Sequence, residues 1–553
     1  MINKTCITTL LIIFNLAFFS CGSKKISGDK VILNVHNGDE IRHLDPQLAT
    51  GIGSAHITIN LFAGLFEYHH KTARPVKHLV SSYYKMKNST QWVFKLRKDI
   101  YWVKNKNNKI TKIRPVNAQD VVFSYRRILS PKLASEYAYM LYILKNAEKF
   151  NKGKIRDPRK IGVKAMGKWK LKLTLEGPAP SFISYLPHHS FKVVPREPIE
   201  KHGEKWIIKN NIWTSSAFAF KEWKLKDRIT LTKNPHYPEA DKTQVDEINF
   251  IFIGVYSPDA VRVFRAGRTD IDLMAPPTSE IPSLKEDGTL KITKQLGTYF
   301  VRVNLTRKIL RDIRIRKALA LTIPRKDIVD YIAKSGQVPA YSFVPDSFSS
   351  YNPVSFTGEK SRAKRVARAK KLMKEAGFPN GKGFPEIFYF YNTAETHQKI
   401  AVVMAKAWKA DLGITVKPFN QEWKVFLNTS KSLDYDLARS GWVADMEDPI
   451  NFLEMFISGG GNNQTGFSSK KYDRLIKLAR IENNLKERAS ILRKAEAILM
   501  KEIPIIPVFN YTSISLTQKY ISNFHATKLD QHPMRFVKID LDMRKKLFSD
   551  YYE

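Results

Sequence analysis

A tryptophan and a carboxylate lie close together in the stretch ARSGWVADMEDP, as Trp442 and Asp445. A carboxylate forms charge-assisted hydrogen bonds with an amine, and an indole ring offers the same group an apolar or cation–π face. The alternation of polar and apolar residues over 433–438 predicts a half-buried strand, and Gly441 and Pro449 are typical of a strand's end. These residues predict a site for a cationic group at a strand end. They also allow a plainer interpretation, in which Asp445 only caps the turn before Pro449.

The usual sequence signatures of catalysis are missing. The chain has no His-Glu-x-x-His, Gly-x-Ser-x-Gly, Gly-x-x-x-x-Gly-Lys-Ser/Thr or Cys-x-x-Cys motif. Two pairs of adjacent histidines, at 69–70 and 188–189, point in different directions on any regular element, which disfavours metal ligation by either pair. We therefore expect a protein that is not an enzyme and that has neither a cofactor nor a metal site.

Residues 1–20 are predicted to be a signal peptide. Lys4 precedes the apolar run 7–19, which is too short to span a bilayer but long enough for a signal-peptide core. A small residue before Cys21 resembles a lipobox, so Cys21 is expected to become the lipidated first residue of the mature chain. Plain secretion and an uncleaved anchor are the alternatives. The other cysteine, Cys6, would be removed with the leader, which leaves no disulfide in the mature chain.

The composition indicates a large folded body with a basic surface. The chain has 553 residues, of which 43% are hydrophobic, and its formal net charge is +40. Such a charge suits contact with nucleic acid, anionic lipid or acidic ligands. The lysines are nevertheless spread along the whole chain, and the densest group, at 104–114, is typical of a solvated hairpin. We therefore expect a lysine-rich surface without a dedicated nucleic-acid site.

Several motifs, in order along the chain, resemble one protein family. They are Trp-Val-Phe-Lys-Leu-Arg-Lys-Asp at 92–99, Asp-Ile-Arg-Ile-Arg-Lys-Ala-Leu at 312–319, Tyr-Asn-Thr at 391–393 with His397, Asn-Gln-Glu-Trp-Lys-Val-Phe-Leu at 420–427 and Gly-Trp-Val-Ala-Asp at 441–445. The chain resembles the oligopeptide-binding proteins of ABC importers, the family 5 solute-binding proteins that also include nickel binders. One departure is Thr-Ser-Ser at 214–216, where relatives carry a glycine, so this turn is expected to be rebuilt or mildly strained.

The resemblance implies an α/β fold of the periplasmic-binding-protein type II, with two lobes, an extra inserted domain and a hinge around a ligand cleft. Because strands alternate with helices beyond residue 297, the third lobe is expected to have a mainly parallel sheet with helices on its faces. The implied division is domain I at 21–62, 192–296 and 513–553, an inserted domain II at 63–191, and domain III at 297–512.

The resemblance also implies capture of short peptides by backbone strand addition. Asp445 would hold the peptide amine, and Gly441 and Val443 would pair with its backbone. Trp442 and Trp423 would form the walls of the side-chain pockets, and Arg439 and His397 would lie near the peptide carboxylate. Tyr137 and Tyr511 lie in matching segments with less specific motifs. The tryptophans could instead be core residues.

The expected partners are short peptides, the permease subunits of an ABC transporter, and a membrane through the lipid anchor. The protein is expected to be a monomer in the bacterial cell envelope that faces the periplasm or the exterior. Two alternatives stay open on the same fold. One is a surface lipoprotein for adhesion or sensing, and the other is a binder of a different solute, such as a nickel chelate, haem or glutathione.

Overall fold

The computed structural model describes residues 30–49, 51–86, 90–255, 257–348 and 351–548. The predicted signal peptide and the predicted lipidation site at Cys21 lie outside these residues. No helix within them is both long enough and apolar enough to cross a membrane.

Strands and helices alternate through most of the chain. The strands are β1 (Ile32–His36), β2 (Phe66–Tyr68), β3 (Pro75–Lys77), β4 (Val80–Lys85), β5 (Gln91–Leu96), β6 (Tyr101–Lys106), β7 (Lys109–Pro115), β8 (Val163–Ala165), β9 (Lys170–Thr174), β10 (Phe218–Lys224), β11 (Arg228–Lys233), β12 (Glu247–Ile251), β13 (Ile271–Asp272), β14 (Leu290–Val303), β15 (Val338–Pro339), β16 (Ile387–Asn392), β17 (Val416–Gln421), β18 (Leu437–Val443), β19 (Ile505–Thr517), β20 (Ile521–Ser522) and β21 (Lys538–Ile539). The helices are α1 (Ile52–Leu61), α2 (Ala118–Ile128), α3 (Ala147–Asn151), α4 (Phe182–Tyr185), α5 (Arg196–His202), α6 (Pro258–Arg265), α7 (Ile281–Glu286), α8 (Ile313–Thr322), α9 (Arg325–Asp327), α10 (Arg362–Glu375), α11 (Glu395–Leu412), α12 (Trp423–Lys431), α13 (Ile450–Leu453), α14 (Lys470–Ile481), α15 (Leu485–Glu502) and α16 (Leu541–Leu547).

One large sheet runs through both lobes. Its strand order is β10-β11-β12-β1-β13-β19-β14-β18-β16-β17, and β15 also pairs with β19. The long strands β14 and β19 form an antiparallel ladder at its centre that joins the two halves. In the third lobe β16 pairs in parallel with β17 and β18, but β14, β15 and β19 pair in antiparallel. The expectation of a mainly parallel sheet there is therefore wrong, because β14 enters that lobe from the first lobe and β19 runs back into the first.

The predicted inserted region carries a sheet of its own, with the order β4-β5-β9-β8. Its apolar side chains nevertheless share one continuous core with those of the first lobe. A second core lies within the third lobe, and a third core joins that lobe to Tyr68 and Leu529 from the opposite side. The residue boundaries of the three domains stay a prediction.

Local sequence signals explain several of these elements. Asn117 caps α2 in a capping box with Asp120, and β6 and β7 form the expected basic hairpin. Helix α1 runs from Ile52 to Leu61, and the chain then turns into β2.

The turn that has serines in place of the family glycine is built without left-handed backbone. Neither Ser215 nor Ser216 has a positive φ. Both donate their backbone N–H to the carbonyl of Leu61, and the Ser215 hydroxyl accepts the N–H of Ala63 at 3.0 Å. The hydroxyl thus satisfies a buried backbone donor, and the expected strain is not observed.

Candidate functional site

Strand β18 presents an open edge. The hydrogen bonds from Ala444 N to Leu296 O and from Asn304 N to Asp436 O fix the phase of its pairing with β14. Because N–H and C=O groups alternate in direction along a strand, those of residues 439, 441 and 443 point away from β14. On that side β16 pairs only with Leu437 and Ala438. Within the described chain, no strand pairs with β18 over 439–443 on this edge.

The strand begins later than its sequence pattern predicts. Leu433 has a φ of +57°, which ends the extended backbone there, and β18 starts at Leu437. Trp442 is the last but one residue of β18, near the strand end where the sequence placed it. Asp445 lies two residues beyond the last strand residue, as a strand-end carboxylate should.

Asp445 lies in a cavity of about 330 Å³ between the lobes. Its carboxylate accepts hydrogen bonds from Tyr139 Oη and from Asn451 Nδ2, each at 3.4 Å, and its backbone carbonyl accepts one from Tyr68 Oη at 3.3 Å. Burial raises the pKa of Asp445 from 3.8 to about 6, against the lowering effect of the Asn451 and Tyr139 hydrogen bonds. No lysine, arginine or histidine of the described residues forms an ion pair with it.

All three predicted domains contribute to this cavity. The lining residues include Gly51, Ala55, Tyr68, Tyr137, His188, His189, Gln295, Val443, Ala444, Asp445, Leu529 and Asp530. The ring of Tyr137 lies 4.8 Å from that of His188 and 5.3 Å from that of His189. Burial and the negative charge of Asp445 raise the pKa of Tyr137 to about 12. Tyr137 is thus brought to the same cavity as Asp445, although the two are distant in sequence.

The two predicted wall tryptophans occupy different surroundings. Trp442 is half-buried, packs against the core that joins the lobes, and donates its indole N–H to Asn451 Oδ1 at 3.0 Å. The same oxygen accepts the backbone N–H of Asp445 at 3.1 Å, so Asn451 links the indole to the carboxylate segment. Trp423 is 48% exposed and stacks on Phe426. Trp442 therefore orients the Asp445 segment, whereas Trp423 offers a free aromatic face.

Arg439 and the neutral His397 lie at the other end of the open edge. Arg439 donates to Tyr511 Oη at 3.2 Å and to Asn392 Oδ1 at 3.3 Å, and its guanidinium lies 5.2 Å from the ring centre of Tyr299. No carboxylate of the described residues forms an ion pair with Arg439. Burial, together with the positive charge of Arg439, lowers the pKa of His397 to about 3. His397 is therefore neutral at pH 7, and its buried Nδ1 has no hydrogen-bond partner in the described chain.

Gly441 lets Tyr511 approach the strand. A Cβ at Gly441 would lie 2.3 Å from Tyr511 Oη, and a Cβ at Gly297 would lie 2.8 Å from its Cδ2. The two glycines flank each other on β18 and β14, because Tyr299 pairs with Gly441 and Gly297 with Val443. They form a bare strip of backbone on which the Tyr511 ring lies, and this places its hydroxyl beside Arg439.

The structure adds three residues that the sequence analysis did not name. Tyr68, Tyr139 and Asn451 all contact Asp445. Asn451 is near it in sequence, so an acceptor and donor six residues after the carboxylate could have drawn attention. The two tyrosines come from distant segments, and no local signal marks them.

Residues 74–464 match the sequence profile of the bacterial extracellular solute-binding proteins, family 5, middle region. The chain belongs to this family. The periplasmic oligopeptide-binding protein OppA of Salmonella typhimurium is 33% identical over 508 residues, which cover 90% of each chain, and the OppA of Bacillus subtilis is 31% identical over 525 residues, 92% of this chain and 94% of that one.

Solved structures of family 5 proteins share the fold. The murein tripeptide-binding protein MppA of Escherichia coli matches with a TM-score of 0.79 at 30% identity, over 93% of this chain and 99% of that one. The OppA of Haemophilus influenzae in complex with RPPGFSPFR matches with a TM-score of 0.77 at 29% identity, over 93% and 99%. These matches confirm the predicted α/β fold of the periplasmic-binding-protein type II and the predicted family.

Proposed function

We propose that this family 5 protein captures short peptides outside the cytoplasm and delivers them to an ABC permease. One observation carries the proposal. Asp445 and Arg439 lie near opposite ends of one open strand edge, and neither forms an ion pair with another of the described residues. A peptide with free ends has the complementary charges and a backbone that can pair with such an edge.

The geometry also gives the peptide a direction. The N–H and C=O groups of residues 439, 441 and 443 would accept a peptide strand, with Gly441 and Val443 as the central partners. The peptide amine would bind Asp445 and its carboxylate would bind Arg439, so the peptide would run antiparallel to β18. The four residue steps from Arg439 to Val443 span about 13 Å, which is the length of a few extended peptide residues. Longer peptides would need their ends to leave this edge.

The remaining predicted residues fit supporting roles. Neutral His397 offers a hydrogen bond to the peptide carboxylate, and Tyr511 holds Arg439 in place. Tyr137 and the exposed face of Trp423 would contact peptide side chains, while Trp442 fixes the Asp445 segment. Backbone pairing with loosely enclosed side chains would accept many sequences. Such a site binds and releases its ligand unchanged, which is why we propose a binding protein and not an enzyme.

The cellular setting is part of the same proposal. The lipobox-like sequence before Cys21 supports a lipid anchor, and the family is extracellular by description. We infer a monomer that is tethered to a bacterial membrane and that meets its permease outside the cytoplasm. The name of the periplasmic relative from Salmonella typhimurium supports the location outside the cytoplasm.

Calorimetric titration with one five-residue peptide and its N-acetylated twin tests the proposal. The protein would first be unfolded and refolded to remove co-purified ligand. We expect tight binding of the free peptide and loss of binding for the twin, because acetylation removes the charge that Asp445 pairs with. If neither peptide binds the refolded protein, peptide capture is wrong.

A further inference from the structure

Two buried histidines and one aspartate meet below the cavity, on its first-lobe side. His56 lies on α1, and Asp530 and His532 lie in the segment after β20. One ligand atom from each of the three lies within 4.8 Å of the others. Both histidines are buried, whereas Asp530 is partly exposed and lines the cavity.

Each histidine ring lies between oxygen atoms. His532 has Nε2 at 2.9 Å from Asp530 Oδ1 and Nδ1 at 3.3 Å from the carbonyl of His525. His56 has Nε2 at 2.9 Å from the Asp530 carbonyl and 3.7 Å from its Oδ2, and Nδ1 at 2.9 Å from Asn37 Oδ1.

The orientation of the Asn37 amide is fixed, because its Nδ2 donates to the carbonyl of Gly53 at 2.9 Å. An oxygen, and not an amino group, therefore faces the His56 ring.

Protons alone satisfy this arrangement poorly. A neutral imidazole has one N–H and one lone pair, so in each ring one nitrogen would present its lone pair to an oxygen. Double protonation would remove that conflict but would bury two imidazolium rings, 5.1 Å apart between centroids, beside one carboxylate. Like charges at this distance disfavour each other in a buried site. Apart from Asp530, no carboxylate of the described residues forms an ion pair with either ring.

We propose that His56, Asp530 and His532 bind a divalent first-row transition-metal ion. Both Nε2 atoms and the carboxylate converge on one place, and both Nδ1 atoms face oxygen acceptors, as ligating histidines usually do. Two imidazoles and a carboxylate without a thiolate form a ligand set that suits Zn²⁺. Asp530 has a φ of +53°, a backbone state that directs both its carbonyl and its carboxylate to His56.

The metal would join the C-terminal segment to α1 at the cavity. Asp530 also accepts a hydrogen bond from Ser513 Oγ on β19 at 3.1 Å, which orients the carboxylate. Because Asp530 reaches the cavity, the ion can enter from there. Binding to the folded state alone would raise the stability of the chain as the concentration of free metal rises.

Titration of the chelator-treated chain with Zn²⁺ tests this site, with Co²⁺ absorption as a spectroscopic check. We expect one ion per chain and a higher thermal unfolding midpoint in Zn²⁺. D530N and H532Q should each lower the affinity at least tenfold, since even loss of an outer-shell partner costs about 10- to 100-fold. H70Q is the matched control, because His70 is close in the fold but stacks on Phe536 instead. It should bind like the parent.

If the variants fail to fold, X-ray absorption of the zinc-loaded parent chain decides the question. Two imidazole nitrogens and a carboxylate oxygen around the zinc would support the site. Absence of one-to-one binding, a different ligand set, or equal loss of affinity in H70Q would overturn it. No peptide enters these measurements, so their outcome is independent of peptide capture.

Discussion

Replacing Asp445 by asparagine should have opposite effects on peptide binding and on the stability of the unliganded protein. The substitution keeps the side-chain shape and an oxygen for the hydrogen bonds from Tyr139 and Asn451, but it removes the negative charge. Truncating one member of a hydrogen-bonded, desolvated charge pair costs about 2–5 kcal/mol in binding. The affinity of D445N for a free peptide should therefore fall by about 30-fold to several thousand-fold.

The same substitution should stabilise the unliganded protein. Burial raises the pKa of Asp445 from 3.8 to about 6, so the folded state opposes ionisation that the unfolded chain allows. The penalty is small below the unfolded-state pKa of 3.8, where both states are mostly protonated, and it develops as the pH rises to 6. A rise of this size corresponds to up to about 3 kcal/mol at pH 7.5. D445N should gain this stability in urea unfolding at pH 7.5 and lose the gain at pH 3.5.

A thermodynamic cycle measures the pairing directly. The parent and D445N are each titrated with a free peptide and with its acetylated twin, and the coupling energy between carboxylate and amine follows from the four affinities. D434N is the control, because the Asp434 side chain is 81% exposed. Equal affinity of D445N and the parent for the free peptide, or a coupling energy near zero, would refute the assignment of Asp445.

Three further predictions concern the same strand edge. R439Q should weaken binding of a peptide with a free carboxylate by about tenfold in calorimetry. This loss is smaller than that of D445N, because His397 and Tyr511 also contact the carboxylate end. R439Q should not further weaken binding of an amidated peptide. G441A should push the Tyr511 hydroxyl away, because the new Cβ would lie 2.3 Å from it. The free energy of unfolding in urea should fall by about 1–3 kcal/mol. G461A, at an exposed glycine with open space around it, should leave the free energy of unfolding unchanged. Peptide affinity of the parent, measured from pH 8 to 5, should fall below about pH 6, where Asp445 takes up a proton, whereas D445N should show no such fall.

Local sequence signals placed much of the fold. The basic hairpin predicted at 104–114 depends on neighbouring residues, and the structure has it there as β6 and β7. The start of β18 was wrong because it depends on the φ of Leu433, which composition does not reveal. The mixed sheet was missed because β14 and β19 pair residues more than 200 positions apart.

In the candidate site, too, local sequence signals were informative and long-range contacts were not predictable. Asp445 and Arg439 belong to one short motif and were proposed from it, together with the family resemblance. The surroundings of Asp445 come from other segments, such as Tyr68 and Tyr139. The cluster of His56 with Asp530 and His532 spans more than 470 residues, so no spacing rule could reveal it. Long-range packing, and not residue type, decides these contacts.

The central position of β19 has a consequence for the order of folding. This strand starts at residue 505 and lies between β13 of the first lobe and β14. Until the last tenth of the chain has been synthesised, both lobes lack the strand that they share. β13 and β14 then each have one edge without a hydrogen-bonded neighbour. Closing so long a loop is slow, and exposed edges attract other strands. We therefore expect the unfinished chain to be prone to aggregation until β19 has paired with β13 and β14.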